Sequence, residues 1–346
     1  MKLDFTVDKL VITRDDGTKL VKLVKDLTFF ETAMWEYIAS VDDTTPEQAG
    51  NSIVLNEKID SLQKEVDSLK FKDATVVTPT SNPSQPVKFT DMTKDCTLKG
   101  VELKSSDVNQ LKAKSILVED VKLESTKISM EAPESVKVSS MELVGEYPSD
   151  RTGTLMDDPC WVGSPKTVEI SGFKNDTESA WNGIFICHEQ YPTAPSKVSI
   201  SDCEFNNFKH NPIAIASLED NAKVTISNCK FNNCSFNNIR FSNFLNKSGI
   251  TLDFVNCEFS VIPDGDKTGI FYLRDIKSTP EQEFNLFAPE KVTINLYYCK
   301  VNGAILTKSN FKMGTGDSSQ ILYVTQDKVN GFVPYDESKY PTVNVY

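Results

Sequence analysis

Val198-Ser199-Ile200-Ser201-Asp202-Cys203-Glu204-Phe205 and Val224-Thr225-Ile226-Ser227-Asn228-Cys229-Lys230-Phe231 are one eight-residue phrase written twice, with the charge at its seventh place reversed. The phrase has eight occurrences, starting at Cys96, Ile116, Val136, Val168, Val198, Val224, Leu252 and Ile294. Aligned without gaps, its seventh place reads Glu102, Lys122, Glu142, Lys174, Glu204, Lys230, Glu258, Lys300, so the sign alternates at every copy. The third place holds Leu98, Val118, Val138, Ile170, Ile200, Ile226, Phe254 and Leu296. The sixth holds Val101, Val121, Met141, Phe173, Cys203, Cys229, Cys257 and Cys299, and the eighth is apolar in every copy except Asn175.

Apolar places one, three, six and eight describe an alternation of period two broken once by two polar-leaning places side by side. That is two short strands joined at a corner. Repeats of this length indicate stacked units, and like residues falling in columns indicate coils of a parallel β-helix. Adjacent strands lie about 4.8 Å apart, so each Glu is expected directly over a Lys. Such a column sets register, because a slip by one coil stacks like charge on like.

The starts at 96, 116 and 136 are 20 residues apart, and the later ones 32, 30, 26, 28 and 42. Twenty is not a multiple of six, which favours a right-handed over a left-handed hexapeptide helix. The added residues fall after Leu143, Phe173, Phe205, Phe231 and Phe259, outside the phrase. A further wall strand is readable at Gly183 to Ile186, Pro212 to Ile215, Asn238 to Phe241, Gly269 to Leu273 and Gly303 to Leu306. Ile321 to Val324 is expected as a last wall strand, with Val343 to Tyr346 covering the open edge.

Ahead of the repeats, residues 1–44 read as a small α+β attachment module. Leu10 to Arg14 and Thr18 to Leu23 flank Asp15-Asp16-Gly17, a hairpin signal. Thr28 with Glu31 makes a capping box before Leu27, Phe30, Met34 and Tyr37 at helical spacing. Residues 45–72 read as a helix opened by Pro46, with Leu55, Ile59, Leu62, Val66 and Leu69 forming a heptad seam of about two heptads. A seam that short needs partner helices or must lie on its own chain, with self-association the leading reading. The expectation is a homo-oligomer, a trimer ahead of a dimer. Residues 73–93, with Thr78 to Pro86 rich in Pro, Ser and Thr, read as an extended linker, and 94–346 as the β-helix with its cap.

A chain of 346 residues with net charge -12 lacks the basic face that a nucleic-acid binder needs. Met1 to Leu10 lacks the apolar run of a signal peptide, and no window approaches the roughly 20 apolar residues of a bilayer span, so no membrane insertion is expected. Eight cysteines, five of them in core columns, read as reduced thiols rather than a disulfide framework. With two histidines and no metal-spaced cluster, neither metal nor cofactor is expected.

The repeats resemble the right-handed parallel β-helix of pectate-lyase-like proteins. The order of small module, heptad helix, linker and β-helix is similar to that of phage virion fibres and tailspikes. The resemblance implies a virion protein that attaches to other virion proteins through residues 1–50 and projects a β-helix towards a host-surface glycan or protein.

A lyase of that fold would need clustered carboxylates and an arginine base, for which Asp253, Asp275, Arg240 and Arg274 are the candidates. A tailspike glycosidase would need two carboxyl groups across a groove. The seventh-column glutamates do not suit it, because interleaved lysines hold them ionised where a general acid must stay protonated. Asp264, Asp266 and Asp275 remain, in turn-like surroundings. Non-enzymatic attachment is therefore the leading expectation, with a polysaccharide-cleaving tailspike as the alternative. Trp161, Trp181, His188 and Tyr191 on the lengthened coils are the candidate ligand-binding residues, since aromatic faces on a rigid scaffold suit sugars or a protein partner.

Overall fold

The computed structural model describes residues 2–6, 9–13, 19–23, 69–82, 84–148, 158–163, 165–177, 180–186, 194–234, 237–242, 247–260, 269–274, 292–307, 311–316, 319–324, 332–334 and 342–346. The chain divides into two compact units, Met1–Lys72 and Asp73–Tyr346.

In the first unit, β2 (Lys9–Thr13) and β3 (Lys19–Leu23) pair antiparallel as the hairpin signal requires, and β1 (Lys2–Thr6) pairs antiparallel with β2. The expected helix around Leu27 to Tyr37 lies outside the described residues, as do Leu55, Ile59, Leu62 and Val66. Leu69 and Lys70 are helical, and Leu69 is exposed.

The second unit is mainly β, built on two long, predominantly parallel sheets between which the chain passes alternately. The first sheet holds β4 (Thr75–Val76), β6 (Cys96–Leu103), β8 (Ser115–Glu124), β10 (Ser135–Val144) and β12 (Thr167–Asp176). It then holds short strands that follow one another across each corner: β14 (Lys197–Ser201) then β15 (Glu204–Asn206), β17 (Lys223–Ser227) then β18 (Lys230–Asn232), β20 (Ile250–Val255) then β21 (Glu258–Phe259), and β23 (Val292–Tyr297) then β24 (Lys300–Val301). The second sheet holds β5 (Lys88–Asp91), β7 (Asn109–Ala113), β9 (Ile128–Glu131), β11 (Cys160–Gly163), β13 (Ile184–Ile186), β16 (Ile213–Ile215), β19 (Asn237–Ser242) and β22 (Gly269–Arg274).

Each copy of the phrase lies in the first sheet, and its fifth place is the corner. Gly100, Asp120, Ser140, Gly172, Asp202, Asn228, Asn256 and Tyr298 all have φ between 51° and 63°. Left-handed backbone turns the strand without breaking the stack, and Gly, Asn and Asp tolerate it best. The Asn and Asp side chains then bond along the stack, Asn228 Nδ2 to Asp202 Oδ1 at 3.1 Å and Asn256 Nδ2 to Asn228 Oδ1 at 3.0 Å.

Places one, three, six and eight face the core and are buried throughout, apart from the half-buried Val101. Phe205, Phe231 and Phe259 stack face to face with centroids 5.0 and 5.1 Å apart. Each such contact is worth about 0.5–1.5 kcal/mol beyond its burial. Asn175, the polar exception, is buried and fully engaged: Nδ2 donates to Asn206 O at 2.7 Å, and Oδ1 accepts from Asn206 N–H at 2.8 Å. Phe173, two residues earlier, extends the aromatic stack in its stead, 5.3 Å from Phe205.

Three expectations need correction. Residues 73–93 are not a linker: β4 pairs with Cys96 and Thr97, β5 pairs with β7, and Val77 and Val87 enter the core. The prolines masked this, since apolar residues this sparse show no period. The buried Asn109 ties the stretch down by accepting Val87 N–H at 2.9 Å. Gly303 to Leu306 does not join the second sheet. Its strand β25 (Ala304–Ile305) folds back antiparallel on β24, because left-handed Asn302 and Gly303 make a tight turn directly after Val301. Finally, the last wall strand expected at Ile321 to Val324 is present as β27 (Ser319–Val324) but runs antiparallel on β22, and β26 (Phe311–Gly316) on β27 and β28 (Phe332–Pro334) on β26 are antiparallel as well. The first sheet ends as expected, with β29 (Thr342–Val345) parallel to β23.

Candidate functional site

The outward surface of the first sheet carries the charged column. Its register is continuous: Glu102 beside Lys122, Lys122 beside Glu142, Glu142 beside Lys174, Lys174 beside Glu204, Glu204 beside Lys230, Lys230 beside Glu258, and Glu258 beside Lys300. Lys122–Glu102 and Lys174–Glu142 form ion pairs, each at 3.4 Å. Neighbouring columns add Lys104–Glu124 at 2.7 Å and Lys137–Glu169 at 3.3 Å. The hydrogen bond from Lys104 holds the Glu124 carboxyl below its ordinary pKa and raises that of Lys104. Carboxylates so matched serve register and solubility. They are poorly placed to deliver a proton.

The candidate aromatics fall on two neighbouring elements. Trp161 lies on β11, in register with Ser129 on one side and Phe185 on the other, and Lys127 Nζ sits over its ring at 5.6 Å from the centroid. That lysine is buried, so the face of Trp161 that it covers is not open to a ligand. Trp181 lies ahead of β13 and stacks on His210, with centroids 4.6 Å apart and rings 6° from parallel. His188 and Tyr191 lie outside the described residues.

Around Trp181 the structure assembles a polar chain. Asn182 Oδ1 accepts from Asn211 N–H at 3.2 Å and contacts His210 Nδ1 at 2.9 Å, while Asn182 Nδ2 donates to Asp158 Oδ1 at 2.7 Å. Because Asn182 presents its oxygen, His210 Nδ1 is the donor of that contact. The stack and the chain together hold Trp181 and His210 as one rigid aromatic–polar element at the start of a lengthened circuit.

The acid–base candidates do not converge. Asp253 is on β20 of the first sheet, paired with Lys223 at 3.2 Å and accepting from Asn295 Nδ2 at 2.7 Å. Arg240 is on β19 of the second sheet, between Ala214 and Tyr272 in register. Arg274 ends β22, and Asp264, Asp266 and Asp275 lie outside the described residues. In the core, Cys203, Cys229, Cys257 and Cys299 stack in one column and donate to backbone carbonyls of their own and the preceding circuits. Among the described residues, no three His, Cys, Asp or Glu side chains are grouped as metal ligands.

Sequence reading missed Asp158, Asn182 and the Trp181–His210 stack, since the partners are 24 to 29 residues apart and belong to loops rather than to the phrase. It also missed Tyr297, Tyr298 and Tyr346, although Tyr298 stands out in the corner column once the copies are aligned.

Fold and surface together define a mainly β scaffold of stacked parallel strands, with ordered charge on one face and isolated aromatic elements beside it. Comparison with protein-family models, curated proteins and solved structures finds no match.

Proposed function

We propose that the two sheets are walls of a right-handed parallel β-helix, pectate-lyase-like in architecture, and that the chain is a non-enzymatic structural protein of a phage virion. In this reading residues 1–50 attach to other virion proteins. The heptad residues oligomerise, and the stacked strands project towards a host surface, where Trp181 and His210 offer a contact element.

The observation that carries the reading is the unbroken register of the charged column across all eight copies of the phrase. Every copy is held by its neighbours, and each acid of that column has a lysine beside it in register. A scaffold of this kind resists bending while leaving its loops free to vary. The test is the location of the chain. Antibody raised against the full protein is expected to label particles purified from the cells that make it. Fractionation only with cellular proteins sinks the virion reading. Release of reducing ends from surface polysaccharide sinks the non-enzymatic part and promotes a tailspike glycosidase.

A further inference from the structure

At the far end of the first sheet the outward surface changes character. β29 continues the register of β23, placing Asn344 beside Asn295. One step beyond that strand, the Tyr346 ring stacks on Tyr297, with centroids 4.7 Å apart and planes 8° from parallel. In the adjoining outward column an amide chain runs from Asn344 Nδ2 to Asn295 Oδ1 at 2.8 Å, and from Asn295 Nδ2 to Asp253 Oδ1 at 2.7 Å. Lys223 balances the Asp253 charge at 3.2 Å. Tyr298 joins this group through its backbone N–H, which donates to Tyr346 O at 3.1 Å.

Tyr298 is where the sequence departs from what the corner favours. Its φ is 54°, in a column whose other members are Gly, Asp, Asn and one Ser. Left-handed backbone is unfavourable for a bulky L-residue, and burial of the ring could offset that cost. Yet Tyr298 is 65% exposed, and Tyr346 is 60% exposed. Two large aromatic side chains are thus held largely in solvent, one of them at a conformational cost that burial of its ring does not offset. Strain of this kind clusters at binding sites.

We propose that Tyr298 and Tyr346, with Asn344 beside them, form a binding site for a neutral oligosaccharide. The exposed rings suit the apolar C–H faces of a pyranose, and the phenol hydroxyls can donate to and accept from its hydroxyls. Asn344 commits Nδ2 to the amide chain, so the group it offers a ligand is the Oδ1 acceptor. Lys223 matches the Asp253 carboxylate, so this acid does not select a cationic ligand. The site is distinct from Trp161 and Trp181 and does not depend on the virion reading. Particle labelling and sugar binding fail independently.

Saturation-transfer NMR on the full chain tests it, using maltohexaose, cellohexaose and chitohexaose as probes and hexagalacturonate as the charged comparison. At least one neutral hexasaccharide is expected to receive saturation. Tyr298→Asn and Tyr346→Ala should each weaken its calorimetric Kd about tenfold, the scale of one aromatic contact. Tyr298→Asn should also raise the melting temperature, because Asn tolerates the left-handed backbone. The proposal is overturned if none of the three neutral sugars binds, or if both variants bind as well as the parent. A lower melting temperature for Tyr298→Asn overturns it too, by making the tyrosine structural. Self-association of the parent that Tyr298→Asn abolishes, with no sugar bound, assigns the surface to a second copy of the chain instead.

Discussion

A single residue in this scaffold matters according to the column it occupies. Replacing Lys230 by Glu places three like charges in a row between Glu204 and Glu258. These side chains are outward, so the loss should be small, on the order of 0.5 kcal/mol per unfavourable neighbour, and smaller in high salt. Chemical denaturation at two ionic strengths checks both parts. Cys229, one place earlier and buried, should respond differently: Cys229→Asp brings a carboxylate into the core and should cost several kcal/mol. The thiols also set an alkaline limit. Burial pushes the Cys96, Cys160 and Cys234 thiols from an ordinary 9.0 up to about 12. Their folded pKa values lie above the unfolded value, so their contribution is fully present below pH 9 and is lost as pH rises from 9 towards 12. Melting temperature should therefore fall across that window. Below it, the seven buried cysteines among the described residues should stay unmodified by iodoacetamide in the native protein.

At the scale of the element, the corner decides the strand pair. Asn228 holds φ at 52° and sits in the middle of the amide chain from Asp202 to Asn256. Asn228→Val combines a β-branched residue in left-handed backbone with the loss of both amide bonds. It should cost about 1–2 kcal/mol for the backbone alone, measurable as a lowered denaturation midpoint at unchanged slope. Asn228→Gly should recover most of that loss, since it restores the backbone and forfeits only the side-chain bonds. This element was legible because each phrase repeats its own physics: alternation fixed the core places, and the interruption fixed the corner. The charge column was legible for the same reason, since opposite charges at a fixed place imply adjacency. What lay between phrases was not. Trp181 meets His210 and Asn182 meets Asp158 across loops of unequal length, which no fixed spacing encodes. Residues 73–93 were misread because Val77 and Val87 are single apolar residues among prolines. Gly303 to Leu306 was misassigned because a short apolar run does not say which sheet it will join, and the left-handed pair Asn302 and Gly303 decided that.

At the scale of the whole molecule the proposed reading turns on whether copies associate through the heptad residues. The seam Leu55, Ile59, Leu62, Val66 and Leu69 spans about two heptads, too few to hold a free helix in water. Leu69, its one described member, is 61% exposed, and the other four lie outside the described residues. Ile59 and Val66 at the a positions with leucine at d favour two strands in a parallel coil. The proposed virion-fibre reading favours three, and three is the number expected under it. Leu62→Asp puts a charge at the centre of the seam and should shift the sedimenting species of the full chain from trimer towards monomer. The stacked strands of the second unit do not include Leu62, so the far-ultraviolet spectrum of a β protein should persist. An unchanged mass after that substitution would mean that the seam packs on its own chain, and the attachment reading would then have to account for a monomer.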